Sequence, residues 1–114
     1  MTAASSSRAG ALIERRAARH YRLRGYRILG RNVWCGGYEL DLIARRGRRV
    51  VFCEVKGKTG SGFGDPLEMV DEEKLRRLHL AAGGWLAQHP ELSELELRFE
   101  VVAVHAGTLR RVTV

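Results

Sequence analysis

The chain has 114 residues, of which 45% are hydrophobic and 29% are charged, and its formal net charge is +7. This length predicts one compact domain over residues 1–114, and the charge favours polyanionic partners such as nucleic acids. No apolar run approaches the roughly 20 residues that span a bilayer, and the N-terminus lacks the basic and apolar segments of a secretory signal. We therefore expect a cytoplasmic protein with no membrane partner.

The positive charge is concentrated near the N-terminus. Residues 1–33 contain eight arginines and a single acid, Glu14, whereas most acids lie between Asp65 and Glu100. The two cysteines, Cys35 and Cys53, lack the paired spacing of a zinc site, so we expect reduced thiols.

The first predicted element is a helix over residues 8–24. Residues 1–7 are expected to form a flexible leader, Ser7 is a candidate N-cap, and Gly25 lies just past the C-terminus of the helix. The residues predicted for the buried stripe of this helix are Ile13, Ala17, Ala18 and Tyr21.

Three strands are predicted next, separated by glycine-containing turns. A glycine-rich loop and a second helix precede the end of the chain, which alternates well enough for one good strand and one weaker strand. In chain order, the predicted ranges are strands 26–34, 38–44 and 50–56, a loop over 57–65, a helix over 71–89, and strands 95–104 and 109–114. This order indicates an α/β fold.

The third strand carries two charges in an apolar run. Because successive strand side chains point to opposite faces, Glu54 and Lys56 share one face. In the preceding strand the same rule groups Glu39, Asp41 and Ile43 on one face and Tyr38, Leu40, Leu42 and Ala44 on the other. If these strands form a hairpin, Asp41 lies about 5 Å from Glu54, one cross-strand spacing.

Adjacent carboxylates inside a domain repel each other and are tolerated mainly when a cation lies between them. Oxygen ligands favour a hard ion, so Asp41, Glu54 and the main-chain carbonyl of Val55 are candidate ligands for Mg²⁺ or Mn²⁺. Lys56 is a candidate catalytic residue that orients a metal-bound water or stabilises phosphate charge. An ion-pair cluster of purely structural value is the alternative.

Glu14 is predicted at the edge of the buried stripe of the first helix. No arginine stands three or four residues away from it, so the usual helical ion pair is excluded. An inward-facing acid without a local partner is a further candidate for the site, and a solvated acid paired with a distant arginine is the alternative.

The ordered set of these residues resembles the YraN-like family of predicted endonucleases, within the restriction-endonuclease-like superfamily that includes archaeal Holliday junction resolvases. The resemblance covers about residues 10–90. The motifs that carry it are Gly10 and Glu14, then GYRIL, Asn32, ELDLIA, FCEVK, FGDP and Lys74.

The resemblance implies a mixed central sheet of four to five strands flanked by helices. It also implies that Asp41 and Glu54 bind the metal, that Lys56 is the catalytic lysine, and that Glu14 is a further ligand or water-orienting acid. Glu39 matches the family pattern as a supporting residue. Lys58 stands where the family usually has arginine, which keeps the charge but loses the bidentate fork.

The expected function is therefore a metal-dependent endonuclease acting on DNA, with structure-selective repair or recombination as its setting. A non-catalytic nucleic-acid-binding or repair-accessory module and a basic RNA- or ribosome-associated protein remain alternatives. Cutting two symmetric strands would need a homodimer, as in the resolvase-like relatives. Backbone phosphates are expected to contact Arg15, Arg19, Arg22, Arg45, Arg46 and Arg48.

Three other side chains have open roles. Lys74 either touches phosphate or the site acids, or is an ordinary surface lysine. Trp85 is predicted to be core, whereas the role of Trp34 stays open. Phe63, set among glycines, is a candidate for stacking on an unpaired base.

Overall fold

The computed structural model describes residues 2–57 and 70–114. Its elements in chain order are helix α1 (Thr2–Arg22), strands β1 (Arg27–Cys35), β2 (Tyr38–Arg46) and β3 (Arg49–Gly57), helix α2 (Glu72–Ala87), a 3-10 turn (Pro90–Leu92), and strands β4 (Glu96–His105) and β5 (Thr108–Thr113). The α/β class and the order α-β-β-β-α-β-β are confirmed.

One mixed sheet joins the five strands in the order β1-β2-β3-β4-β5. Strand β3 runs parallel to β4, and all other neighbours are antiparallel. The parallel pair requires a crossover connection, and α2 lies in it. Strand β3 is the central strand, and its residues 50–53 are buried, which accounts for the unbroken apolar run VVFC.

The two helices cover opposite faces of the sheet and make two cores. Beneath α1 lie Ala17, Ala18 and Tyr21 with Ile13 at the edge, which confirms the predicted stripe. The core beneath α2 contains Leu78, Ala81, Ala82 and Trp85, packed on side chains of β2 and β3. Trp85 is therefore a core residue, as predicted. Cys35 and Cys53 are buried free thiols.

The helix ends differ from the predicted ranges. Helix α1 begins at Thr2, so Ser7 lies inside it rather than at its N-cap, and residues 2–7 of the predicted leader belong to the helix. It ends at Arg22, two residues before the predicted end, and Gly25 beyond it adopts a positive φ of 86° that favours glycine. Helix α2 ends at Ala87 rather than at His89. Helix α2 has Asp71 as its N-cap, and the Asp71 carboxylate accepts a hydrogen bond from the Lys74 N–H at 2.9 Å. No helix among the described residues is long and apolar enough to cross a membrane.

A buried acid ties α1 to the sheet edge. Glu100 of β4 is fully buried and accepts a 2.6 Å hydrogen bond from the Tyr21 hydroxyl. Arg111 of β5 lies 3.0 Å from the same carboxylate, and the Thr113 hydroxyl donates to its other oxygen at 3.3 Å. Burial, with the negative charge of Glu100 nearby, raises the pKa of Tyr21, so its hydroxyl keeps its proton and acts as a donor.

Tyr21→Phe should lower the free energy of unfolding by about 2 kcal/mol, because it removes one donor from a buried charged acceptor. Thr113→Val removes a longer hydrogen bond to the same carboxylate at a more exposed position, so its effect should be smaller. Urea unfolding of both variants at neutral pH measures the difference. Equal losses would show that the Tyr21 hydroxyl has no special part in holding Glu100.

Candidate functional site

The candidate site forms where β2 and β3 stop pairing. Their antiparallel ladder runs from Arg46 opposite Arg49 to Leu42 opposite Cys53 and ends there. Beyond this point the Asp41 side chain, rather than a backbone carbonyl of β2, is the acceptor for β3. Its Oδ2 accepts a 2.8 Å hydrogen bond from the Val55 N–H. Strand β3 nevertheless stays paired with β4 as far as Gly57. A gap therefore opens between β2 and β3, beside Asp41.

The regular alternation of β2 side chains between the two faces of the sheet is interrupted at Asp41. Leu42 packs in the core beneath α1, whereas Leu40 packs in the core beneath α2 although it is two residues away. In β1 the facing residue is Asn32, flanked by the pairs Arg31–Leu42 and Val33–Leu40, and its φ is +53°.

Grouping Tyr38 and Leu40 on one face with Leu42 and Ala44 was therefore wrong. The physical reason is that regular alternation requires regular φ and ψ, and the positive φ of Asn32 in the neighbouring strand marks where that regularity is lost. The expected proximity of Asp41 and Glu54 does not depend on this grouping, because it follows from the hairpin register.

Four acids converge on this gap. Burial of Asp41 raises its pKa to about 7, the Val55 N–H opposes that rise, and the charges of Glu54, Glu39 and Glu14 add to it. The rise shows that ionised Asp41 is poorly compensated in the protein as it stands. The four acids come from three elements, with Glu14 on α1, Glu39 and Asp41 on β2, and Glu54 on β3.

The partners of these acids are few. Lys56 Nζ lies 3.1 Å from Glu54 Oε1, and the two side chains are 30% and 19% exposed. Glu14 Oε1 accepts a 2.9 Å hydrogen bond from the side-chain amide of Asn32. Glu14 was expected to lack an ion pair within its helix, and its hydrogen-bond donor is indeed a neutral amide from β1. Within the described ranges, no arginine forms an ion pair with any of the four acids.

A cavity of about 190 Å³ opens beside the acids. Its lining residues are Tyr38, Glu39, Glu54, Lys56, Lys74, Arg77 and Leu78. The structure thus brings Lys56, Lys74 and Glu39 to one cavity, together with Arg77. A signal for Arg77 was present, because it follows Lys74 by three residues and so shares its helix face. Its guanidinium lies 5.6 Å from the centre of the Tyr38 ring and 3.3 Å from Glu73.

The oxygen atoms at the gap suit a hard cation. The N–H and C=O of one strand residue point to the same neighbouring strand, so the Val55 carbonyl faces the gap beside Asp41. Among the described residues, no three His, Cys, Asp or Glu side chains are placed so that they could hold an ion by themselves. A bound ion would therefore use two side chains, the Val55 carbonyl and water, which is the mixed coordination that Mg²⁺ accepts.

The predicted phosphate-binding arginines lie in two places. Arg45, Arg46 and Arg48 are in or next to the β2–β3 turn, about 15 Å along β2 from Asp41. Arg46 has a structural role that the sequence did not reveal: it donates to the Arg24 carbonyl at 3.0 Å and lies over the Tyr26 ring.

The other arginines lie on α1. Arg15 and Arg19 line a groove of about 610 Å³ between α1 and β5, and Arg22 is exposed near the end of the helix. Lys58 and Phe63 lie outside the described residues.

Comparisons with known proteins place the chain in a family. The model of the uncharacterised protein family UPF0102 matches residues 13–104, which include all four acids and Lys56. A UPF0102 protein of Acidothermus cellulolyticus is 40% identical over 112 residues, covering 90% of this chain and 85% of the relative. One from Pseudomonas entomophila is 42% identical, covering 94% and 90%. One from Frankia casuarinae is 44% identical, covering 77% and 74%. The resemblance to the YraN-like family is confirmed.

Asp41→Asn should stabilise the metal-free protein at high pH. The folded-state pKa of about 7 lies above the ordinary 3.8, so folded Asp41 keeps a proton that the unfolded chain has lost. Stability therefore falls as the pH rises from about 4 to 7. Asparagine keeps an oxygen for the Val55 N–H without the charge, so at pH 8 in EDTA the variant should gain up to about 4 kcal/mol.

Urea unfolding at pH 4 and pH 8 tests this expectation, and the gain should vanish at pH 4. The control is Glu72→Gln, an exposed acid in the first turn of α2, which should show no such gain. A loss of stability in Asp41→Asn at pH 8 would mean that the carboxylate is well compensated, as in a structural ion pair.

Proposed function

This chain belongs to the uncharacterised protein family UPF0102, and we propose that it is a metal-dependent endonuclease that hydrolyses DNA phosphodiester bonds. The family match gives no activity, so the proposal is supported by the site itself. The observation that carries it is the convergence of four acids at a gap between two strands, where none of them pairs with an arginine of the described residues and Asp41 is poorly compensated.

The charge distribution favours a functional site over an ion-pair cluster. Glu14, Glu39, Asp41 and Glu54 are the only acids in the first 64 residues, and twelve arginines lie in the same segment. An acid placed for stability alone would have ready arginine partners there. Instead burial raises the pKa of Asp41, and the charges of Glu54, Glu39 and Glu14 add to that rise, which is a pattern typical of functional sites.

A divalent cation would compensate this negative charge. Asp41 and Glu54 would hold it together with the Val55 carbonyl, and the hard oxygen donors favour Mg²⁺ or Mn²⁺. When bound, such an ion supplies positive charge that lowers the pKa of coordinated water and stabilises charge on a phosphate. The hydrogen bond from the Val55 N–H fixes the Asp41 carboxylate before any ion arrives, so little reorganisation is needed.

The remaining residues would position the substrate and the nucleophile. Lys56 is partly exposed beside Glu54, so its ammonium can hold a phosphate oxygen or a water at the mouth of the site. Glu14, held by Asn32, would accept a proton from water or orient it. Lys74 and Arg77 line the same cavity and would bind adjacent phosphates.

The substrate is inferred to be DNA because a net charge of +7 favours a polyanion, and phosphate contacts supply most non-specific affinity. The proposed cleavage is structure-selective and serves repair or recombination, and a homodimer would cut two symmetric strands. Binding should weaken as salt rises, since arginine contacts to phosphate release counterions.

Cleavage of labelled DNA tests the proposal directly. Single-stranded, duplex, flap and four-way junction substrates should be incubated with Mg²⁺, Mn²⁺ or EDTA. The wild type should cut at least one of them only when metal is present. Asp41→Asn and Glu54→Gln should reduce the rate at least about 100-fold, and Lys56→Ala should do so by roughly 100-fold with DNA binding retained.

The Glu72→Gln variant is the control for purity and handling, because its acid lies outside the site and its cleavage should match that of the wild type. Cleavage that persists in Asp41→Asn would point to a contaminating nuclease. If no substrate is cut and DNA affinity is the same with and without metal, a non-catalytic nucleic-acid-binding module replaces the enzyme.

Metal binding can be measured without DNA. Mg²⁺ or Mn²⁺ should raise the Tm of the wild type with increasing concentration. At 100 times Kd the free energy of unfolding should rise by about 2.7 kcal/mol, which corresponds to a Tm shift of roughly 10 °C. Asp41→Asn and Glu54→Gln should lose most of this shift, while Glu72→Gln keeps it. Equal shifts in all four proteins would place the ion elsewhere.

A further inference from the structure

A large aromatic side chain is exposed beside the acids. Trp34, near the end of β1, is 70% exposed, and among the described residues no ring or cation packs on its indole. The other tryptophan, Trp85, is 5% exposed and packs against Phe52 and His89. Trp85 is thus a core residue, whereas core packing does not explain the presence of a tryptophan at position 34.

The position of Trp34 links it to the candidate site. It lies directly opposite Glu39 in the β1–β2 ladder, so the two side chains are on the same face with Cα atoms about 5 Å apart. Glu39 lines the cavity and its charge raises the pKa of Asp41. Two residues before Trp34, Asn32 holds Glu14. The same short stretch of β1 therefore holds Glu14 through Asn32 and places the Trp34 indole next to Glu39.

We propose that Trp34 stacks on an unpaired base of the nucleotide next to the phosphate bound at the site, so that the preferred substrate is single-stranded or branched DNA. The proposal rests on the proposed function, because it assumes that the backbone lies at the acids. It extends that function by naming the substrate class.

The chemistry of a nucleotide supports this assignment. Phosphates are repelled by Glu39 and attracted by Lys56, Lys74 and Arg77, so the neutral base is the part that can approach Trp34. An indole face offers a base about 1–3 kcal/mol of stacking, with little dependence on sequence. In duplex DNA the base faces are already stacked, and only a strand end, a flap or a junction offers them free.

Intrinsic fluorescence gives the test. In EDTA, so that nothing is cut, an oligothymidylate of about 12 nucleotides should quench part of the wild-type tryptophan fluorescence in a saturable way. A duplex of the same length should not. In Trp34→Phe the remaining Trp85 is buried, so the quenching should be lost. Because Trp34 is exposed, this variant is expected to fold normally.

Affinity provides an independent measurement. Trp34→Ala should weaken binding of the oligothymidylate about 5- to 100-fold and leave duplex affinity unchanged, whereas Trp34→Phe should keep most of it. The control is Leu97→Ala, which truncates another exposed apolar side chain, 38% exposed, near the start of β4 and opposite Val50. Its affinity for both DNAs should equal that of the wild type.

Three results would overturn the stacking proposal. They are equal quenching by duplex and single strand, unchanged affinity in Trp34→Ala, and dissociation of a wild-type dimer by Trp34→Ala, which would make the indole a contact between two copies. These outcomes are separate from the catalytic test. Cleavage without quenching of Trp34 fluorescence would support the nuclease and reject the stacking. Quenching without cleavage would support stacking in a non-catalytic protein that binds single strands.

Discussion

The candidate site depends on one hydrogen bond, in which the Asp41 carboxylate accepts from the Val55 N–H across the end of the β2–β3 ladder. A backbone carbonyl in that position would continue the ladder and close the gap. The carboxylate instead satisfies the Val55 N–H while bringing a negative charge to the same place. The end of the ladder and the orientation of the Val55 carbonyl toward the gap both accompany this replacement of a backbone acceptor by a side chain.

The energetic consequence is a local conflict. Burial and three neighbouring acids make ionised Asp41 unfavourable, and its raised pKa measures that cost. Elsewhere three acids pair with arginine, Glu100 with Arg111, Glu96 with Arg49, and Glu73 with Arg76. At the gap, by contrast, none of the four acids pairs with an arginine of the described residues, and Glu54 pairs with Lys56. Such a difference is expected when binding of a cation, rather than stability, determines the arrangement.

Much of this could be predicted from the sequence because the signals are local. The strands were bounded by glycine turns, the helix stripes followed the 3.6 period, and the hairpin register placed Asp41 near Glu54. The irregularity at Asn32 and Asp41 could not be predicted, because a positive φ at asparagine leaves no periodic trace in an otherwise regular strand. The start of α1 was also missed, since Ser7 looks like an N-cap whether or not the helix continues before it.

The interrupted side-chain alternation at Asn32 and Asp41 allows residues from both faces of this small sheet to contribute to one site. In a regular sheet, side chains from one face cannot meet those from the other. Here Glu14 and Asn32 belong to the side of α1, whereas the cavity with Lys56, Lys74 and Arg77 lies on the side of α2. Separation of β2 from β3 at their ends connects the two sides, with Asp41 in the opening between them. A five-stranded sheet can thereby bring acids and cations from both of its layers to one point, and this is the arrangement that a phosphate backbone crossing the sheet edge would contact.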